Sequence, residues 1–267
     1  MSTSGRCFPL VVFASLGLLA ASPVFGSFEE ELARIDELHE EDRHEEVFER
    51  IESLRRQAGS DSERAELLWR ESRAVMNETD LAHRSGELSD REARRRLDDG
   101  EALAEEAISL DDSIAYAHFW KGSNIGLRGE IRGVMSALSS AGTVRDYAER
   151  ALEIDSELKE SYYLLGILYR ELPGGFISFG NREKAVEYGR RAVELHEREY
   201  EAGLVPYRYF DFYLDLAKSL DARGDRGDTE EARSIVADMI SELERLESRN
   251  TRQNLALERA RELQAAL

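Results

Sequence analysis

Cysteine is almost absent from this chain: Cys7 is the single one in 267 residues, so no disulfide framework can hold the fold together. Proline is nearly as scarce, at 4 residues, and glycine contributes 19. Those counts exclude collagen-like and low-complexity architectures and permit long uninterrupted helices. A basic stripe is missing too. Lys and Arg number 36 against 55 Asp and Glu, a formal charge of −19 that repels phosphate backbones, so no nucleic-acid partner is expected. The longest basic run, Arg94-Arg95-Arg96, lies between Glu92 and Asp98-Asp99 and reads as a solvated helix face.

The first 26 residues differ in composition from the rest. Arg6 precedes an uncharged apolar stretch from Phe8 to Ala21, and Ser22-Pro23-Val24-Phe25-Gly26 follows, which is the layout of a secretory signal peptide. Cleavage before Ser27 is expected, leaving residues 27–267 as one helical domain in the periplasm or outside the cell; an uncleaved anchor is the alternative. Cys7 precedes the apolar stretch and so cannot be the acylated cysteine of a lipoprotein. No later stretch is long enough to span a membrane.

From Ser27 onward apolar residues recur at intervals of three and four, as in Leu32, Ile35 and Leu38, then Val47, Ile51 and Leu54. The pattern predicts helices near 28–39, 43–57, 62–77, 91–110, 113–127, 143–155, 158–171, 181–199, 207–222, 229–247 and 251–265. It also repeats. Ala104-Glu-Glu-Ala107-Ile-Ser-Leu110-Asp111 aligns without a gap on Ala148-Glu-Arg-Ala151-Leu-Glu-Ile154-Asp155, and a glycine follows each alanine at 15 residues, Gly122 after Ala107 and Gly166 after Ala151.

Tyr162-Tyr-Leu-Leu165-Gly166-…-Tyr169, followed by Ala185-…-Ala192-Val-Glu-Leu195, resembles a tetratricopeptide repeat, in which a small residue lets two antiparallel helices approach closely. The resemblance implies an all-α, right-handed solenoid of four to five such helix pairs, closed by a C-terminal capping helix. The small residues Ser72, Gly122, Gly166 and Ala217 lie 50, 44 and 51 apart, against a usual period of about 34. The excess falls in Glu78–Ser89, Arg128–Gly142, Pro173–Gly180 and Gly224–Asp228, which read as inserted loops. Gly100 to Asp111 with Ala117-His-Phe-Trp-Lys-Gly122, and Glu171-Leu-Pro-Gly-Gly175, are similar to two divergent groups: the T component of tripartite ATP-independent periplasmic (TRAP) transporters and, more distantly, the regulators of microtubule dynamics. The export signal favours the first.

In a stack of such repeats one helix face packs the pairs and another lines a concave groove. Trp69 and Arg73, Phe119 and Ser123, Tyr163, Ile167 and Arg170, and Lys218 occupy the groove-facing positions. Three aromatics beside cations make a candidate surface for a protein or peptide partner, and Arg73 and Arg170 are expected to be exposed and dispensable for stability. The competing reading makes these aromatics core. The loop residues Phe176, Ile177 and Phe179 form a second candidate, either packed over the groove or exposed to a partner.

Catalytic signals are weak. His39 and His44 are spaced five apart, which turns them off a common face and denies them the zinc-protease pattern, so an exposed turn is expected there. The glycines from Gly122 to Gly133 lack the Lys and Ser/Thr of a phosphate loop, and no nucleophile, base and oxyanion donor share a convincing spacing. No cofactor or metal is expected. The reading that results is a non-enzymatic exported scaffold that binds a protein or peptide through its groove. The alternative, implied by the transporter resemblance, is an accessory part of solute uptake that docks a periplasmic substrate-binding protein and shelters an apolar ligand.

Overall fold

A computed structural model describes residues 27–175 and 178–267; the proposed signal segment and its cleavage site up to Gly26 lie outside them. Among the described residues eleven helices follow one another: α1 (Phe28–Glu40), α2 (His44–Arg55), α3 (Asp61–Arg84), α4 (Asp90–Leu110), α5 (Ala115–Arg132), α6 (Val134–Ile154), α7 (Lys159–Glu171), α8 (Arg182–Glu201), α9 (Phe210–Arg223), α10 (Asp228–Arg245) and α11 (Thr251–Ala266). Each has its counterpart in the apolar periodicity. Five antiparallel pairs and a last helix result, with no strand among the described residues.

Local chemistry fixes the starts. Ser27, Ser60 and Ser89 each accept a hydrogen bond from the backbone N–H three residues on, while Glu30, Glu63 and Glu92 reach back to the cap N–H. Two otherwise orphaned donors are satisfied at each end. Asn250 and Gln253 repeat the device at α11.

Two of the expected loops are helix instead. α3 runs on to Arg84, absorbing the start of Glu78–Ser89, and Arg128–Gly142 becomes the end of α5 and the start of α6. Only Gly133 intervenes there, at φ +105°, a conformation that L side chains avoid. Gly129 permits the tight return, since a Cβ on it would lie 2.6 Å from Ser140 Oγ. The long repeat period therefore comes from longer helices as well as from loops; residues 173–175, 178–180 and 224–227 remain non-helical.

The odd-numbered helices stand side by side along one face of the stack, and each even-numbered helix covers the outside between its neighbours. Crossings are set by the small residues. A Cβ at Gly122 would sit 3.0 Å from Tyr147 Cβ, and at Gly166 3.4 Å from Ala185 O. At the first crossing Ser72 Oγ donates to Gly100 O (2.7 Å) and accepts from Asn124 Nδ2 (3.0 Å), which ties α3, α4 and α5 at one buried point. Larger apolar clusters anchor the ends: α1, α2 and α3 around Ile35, Val47 and Leu67, and α9, α10 and α11 around Leu220, Val236 and Leu257.

Candidate functional site

The inner face of the coil carries most of the sequence candidates, but it is packed rather than open. Trp69 on α3 stacks on Tyr116 of α5, ring centroids 4.7 Å apart, and the guanidinium groups of Arg70 and Arg73 lie 4.1 and 5.1 Å from its ring centroid. Both arginines bind Asp36 of α1, Arg70 Nη2 at 2.8 Å and Arg73 Nη2 at 2.6 Å. Phe119 is buried against Trp120, and Ser123 Oγ donates back to Phe119 O at 2.9 Å. Tyr163 packs edge-on to Phe212. Arg170 holds Asp215 Oδ1 (2.7 Å) and Asp215 O (3.1 Å), with its side chain 9% exposed.

The structure thus gathers Trp69 with Arg73, and Tyr163 with Arg170 around Asp215, but joins them to the fold. The expected exposure of Arg73 and Arg170 is corrected. A guanidinium can be buried where a carboxylate and an aromatic face replace its water, and both arginines have found such partners. Ile167 and Lys218 are half-buried on the same helices. Of the loop candidates, Phe179 packs on Tyr169 at 5.4 Å beneath the Arg145 guanidinium, whereas Phe176 and Ile177 lie outside the described residues.

What the sequence reading missed is how the coil closes. The corner between α1 and α2 meets the far end of the chain: Arg252 Nε of α11 donates to Asp42 Oδ1 at 2.8 Å, across 210 residues, and the Tyr207 hydroxyl donates to Glu40 O at 3.2 Å. The Tyr209 hydroxyl donates to the Glu40 carboxylate. Asp42 adopts φ 58°, the left-handed region, and is the one non-glycine among the described residues to do so. Such strain persists where surrounding contacts over-determine it. His39 and His44 flank this corner, buried at 3% and 8% exposure rather than on an open turn, with rings 5.5 Å apart. A separation of 210 residues leaves no local signal; the Tyr207-Arg-Tyr209 triplet before α9 is the nearest to one.

Burial sets the proton chemistry inside. It holds the His39 imidazole well below its ordinary value, helped by Arg73, and lowers His196 to about 4, helped by Lys159. The Tyr209 phenol is pushed far up by burial and by Glu40, and Tyr207 to about 12. These groups stay uncharged near neutrality and serve as donors and packing surfaces. Among the described residues no group of three or more His, Cys, Asp or Glu side chains is placed to hold a metal ion, and no helix is long and apolar enough to cross a membrane.

The family model described as regulator of microtubule dynamics protein 1-3 matches residues 31–172. The chain is 30% identical to bovine regulator of microtubule dynamics protein 1 over 148 residues, covering 55% of this chain and 44% of that protein. Against the mouse protein 1 it is 26% identical over 190 residues, 66% of this chain and 59% of the relative. Rat regulator of microtubule dynamics protein 3 is 27% identical over 137 residues, 51% and 27%. The chain spans roughly a quarter to three fifths of these relatives' own lengths. They are mammalian proteins named for a process of the cell interior, which overturns the periplasmic or secreted localisation. The resemblance to the transporter T component is not shown; of the two divergent groups, the more distant is the one matched.

Proposed function

The chain belongs to the regulator of microtubule dynamics protein 1-3 family, and on that premise we propose that it is a non-enzymatic helical scaffold whose partner is a protein of the microtubule system, engaged on the outside of the coil. The observation that carries this reading is the closed inner face. Trp69, Phe119, Arg73 and Arg170, the residues best suited to recognition, are occupied by Tyr116, Trp120, Asp36 and Asp215. Interior charges pair with one another and hold the coil shut, which supports a structural rather than a catalytic role.

Sedimentation with stabilised microtubules tests the proposal. Saturable pelleting of the full chain is expected. Absence of pelleting, together with unchanged growth and shortening rates of dynamic microtubules, would overturn it.

A second reading keeps the partner class but places it inside the coil after the α1–α2 corner is released. It is favoured by buried polar atoms without a hydrogen-bond partner, Arg73 Nε, His39 Nδ1 and Glu160 Oε2, and by the left-handed backbone at Asp42. Arg252→Ala separates the two. Loosening the corner raises partner affinity if the interior is the site and leaves it unchanged if the outer surface is.

A further inference from the structure

Where α4 begins and α5 ends, the two helices flank an open surface crevice of about 450 Å³. Arg91, Arg94 and Arg95 stand on one flank of α4 and Arg128 and Arg132 on α5, with Asp98 the one acidic side chain in the lining. The spacings explain the convergence. Positions three, four and seven apart share a helix face, as 91, 94, 95 and 98 do on α4, and 128 and 132, four apart, do so on α5.

Charge pairing divides the group. Arg128 binds Asp98 and Glu101, and Arg95 reaches Asp99 at 3.8 Å. For Arg91, Arg94 and Arg132 there is no carboxylate oxygen within 4.0 Å among the described residues. Three guanidinium groups without a direct ion pair converge here on a protein whose formal charge is −19, Arg94 and Arg91 acting on Asp90 and Glu92 only through space. An anion from outside would relieve their mutual repulsion, and the acidic surface around them would focus such a ligand on the crevice. Past Gly133, two and three residues along the chain from Arg132 of the lining, Val134 and Met135 are 75% and 79% exposed and offer an apolar ledge.

We propose that this crevice docks an extended acidic peptide segment of a protein partner, followed by an apolar residue that covers the ledge. The inference deepens the proposed function, on whose outer-surface reading it rests. The dimensions fit: a four-residue step along a helix advances about 6 Å, and alternate residues of an extended chain are about 6.6 Å apart. Carboxylates on one side of such a segment therefore meet successive arginines, each able to accept two N–H donors. From Arg91 to Arg95 the row on α4 is about 6 Å long, which suits a short acidic stretch. A long polyanion or a flat anionic bilayer would be pressed against the acidic body beside it.

The test uses the full chain and a fluorescein-labelled peptide of alternating glutamate and serine closed by leucine, followed by anisotropy at low and at physiological ionic strength. The triple variant R91E/R94E/R132E is expected to weaken binding by about tenfold or more with an unchanged circular-dichroism melt, while Arg226→Glu, exposed in the turn before α10, leaves it unaltered. Val134→Ser with Met135→Ser should weaken it by about threefold or more. Salt should weaken the wild type and barely affect the triple variant. The proposal is overturned if the wild type does not bind the peptide at low ionic strength, or if the triple variant binds it equally well. It is likewise overturned if the arginines govern capture of phosphatidylserine vesicles while peptide binding is indifferent to them. Microtubule pelleting read in parallel keeps the two proposals apart. A failed peptide result with normal wild-type pelleting removes the crevice alone, whereas arginine-dependent peptide binding without pelleting and with unchanged microtubule growth and shortening removes the microtubule reading alone.

Discussion

Arg73 and Arg170 on the inner face and Arg91, Arg94 and Arg132 at the α4–α5 crevice belong to helices of the same stack, yet they live in opposite conditions. Inside, each guanidinium has a carboxylate, Asp36 or Asp215, and a buried setting. Outside, three have none. The lesson is that charge beside aromatics does not mark a recognition surface in a closed coil. Where the partners come from the protein itself, the cation is structural, and the surface left for others is the one whose charges the fold has not neutralised.

Stability measurements can break this comparison. The largest loss is expected for Arg170→Ala, which leaves the mostly buried Asp215 without its counter-ion; about 3–5 kcal/mol in denaturant unfolding is anticipated. A loss below about 1 kcal/mol, the range of an exposed pair, would put Arg170 in the same class as the crevice arginines and dissolve the contrast. Gly166→Leu should cost about 1–3 kcal/mol by forcing α7 and α8 apart, since a Cβ there already lies within 3.5 Å of Gly189 N. Acid sharpens the picture differently. His39 and His196 have folded values lowered from an unfolded value near about 6.5, so the unfolded chain takes up their protons first. Their contribution is complete above that value and is lost as pH falls toward about 4, the lowered value of His196. A melting temperature that holds steady over this interval in the wild type, or falls equally in His196→Phe, would contradict it. The smallest effect belongs to Arg91→Glu, expected to change stability by no more than about 0.5 kcal/mol while reducing peptide capture.

The helices were legible because they are amphipathic: Leu32, Ile35 and Leu38 announce a buried stripe whatever lies opposite. Gly122 and Gly166 announced the crossings for the same local reason, since only a small residue fits where the neighbouring helix comes this close. The glycine-rich stretch from Gly126 to Gly133 misled, since glycine serves both to break a helix and to admit a neighbour; Gly129 does the second while Gly133 does the first. What covers Trp69 and Tyr163 was not legible in the sequence. That depends on Tyr116 and Phe212 from the next odd-numbered helices and on a coil tight enough to bring Asp42 to Arg252, a curvature that no single repeat encodes. The basic crevice was hidden similarly. Arg94-Arg95-Arg96 reads in sequence as a solvated helix face, whereas the fold brings Arg94 and Arg95 into one crevice with Arg128 and Arg132.

The bond between Asp42 and Arg252 changes what kind of polymer this is. An open stack of repeats behaves as a one-dimensional chain in which each unit is stabilised only by its neighbours, and the two terminal units, having one neighbour each, fray first. Joining the first corner to the last helix gives both ends a second neighbour and makes loss of either a cost to the other. Amide exchange in α1 should then slow or quicken together with that in α11, and deleting α11 should loosen the opposite end of the chain before it loosens the middle.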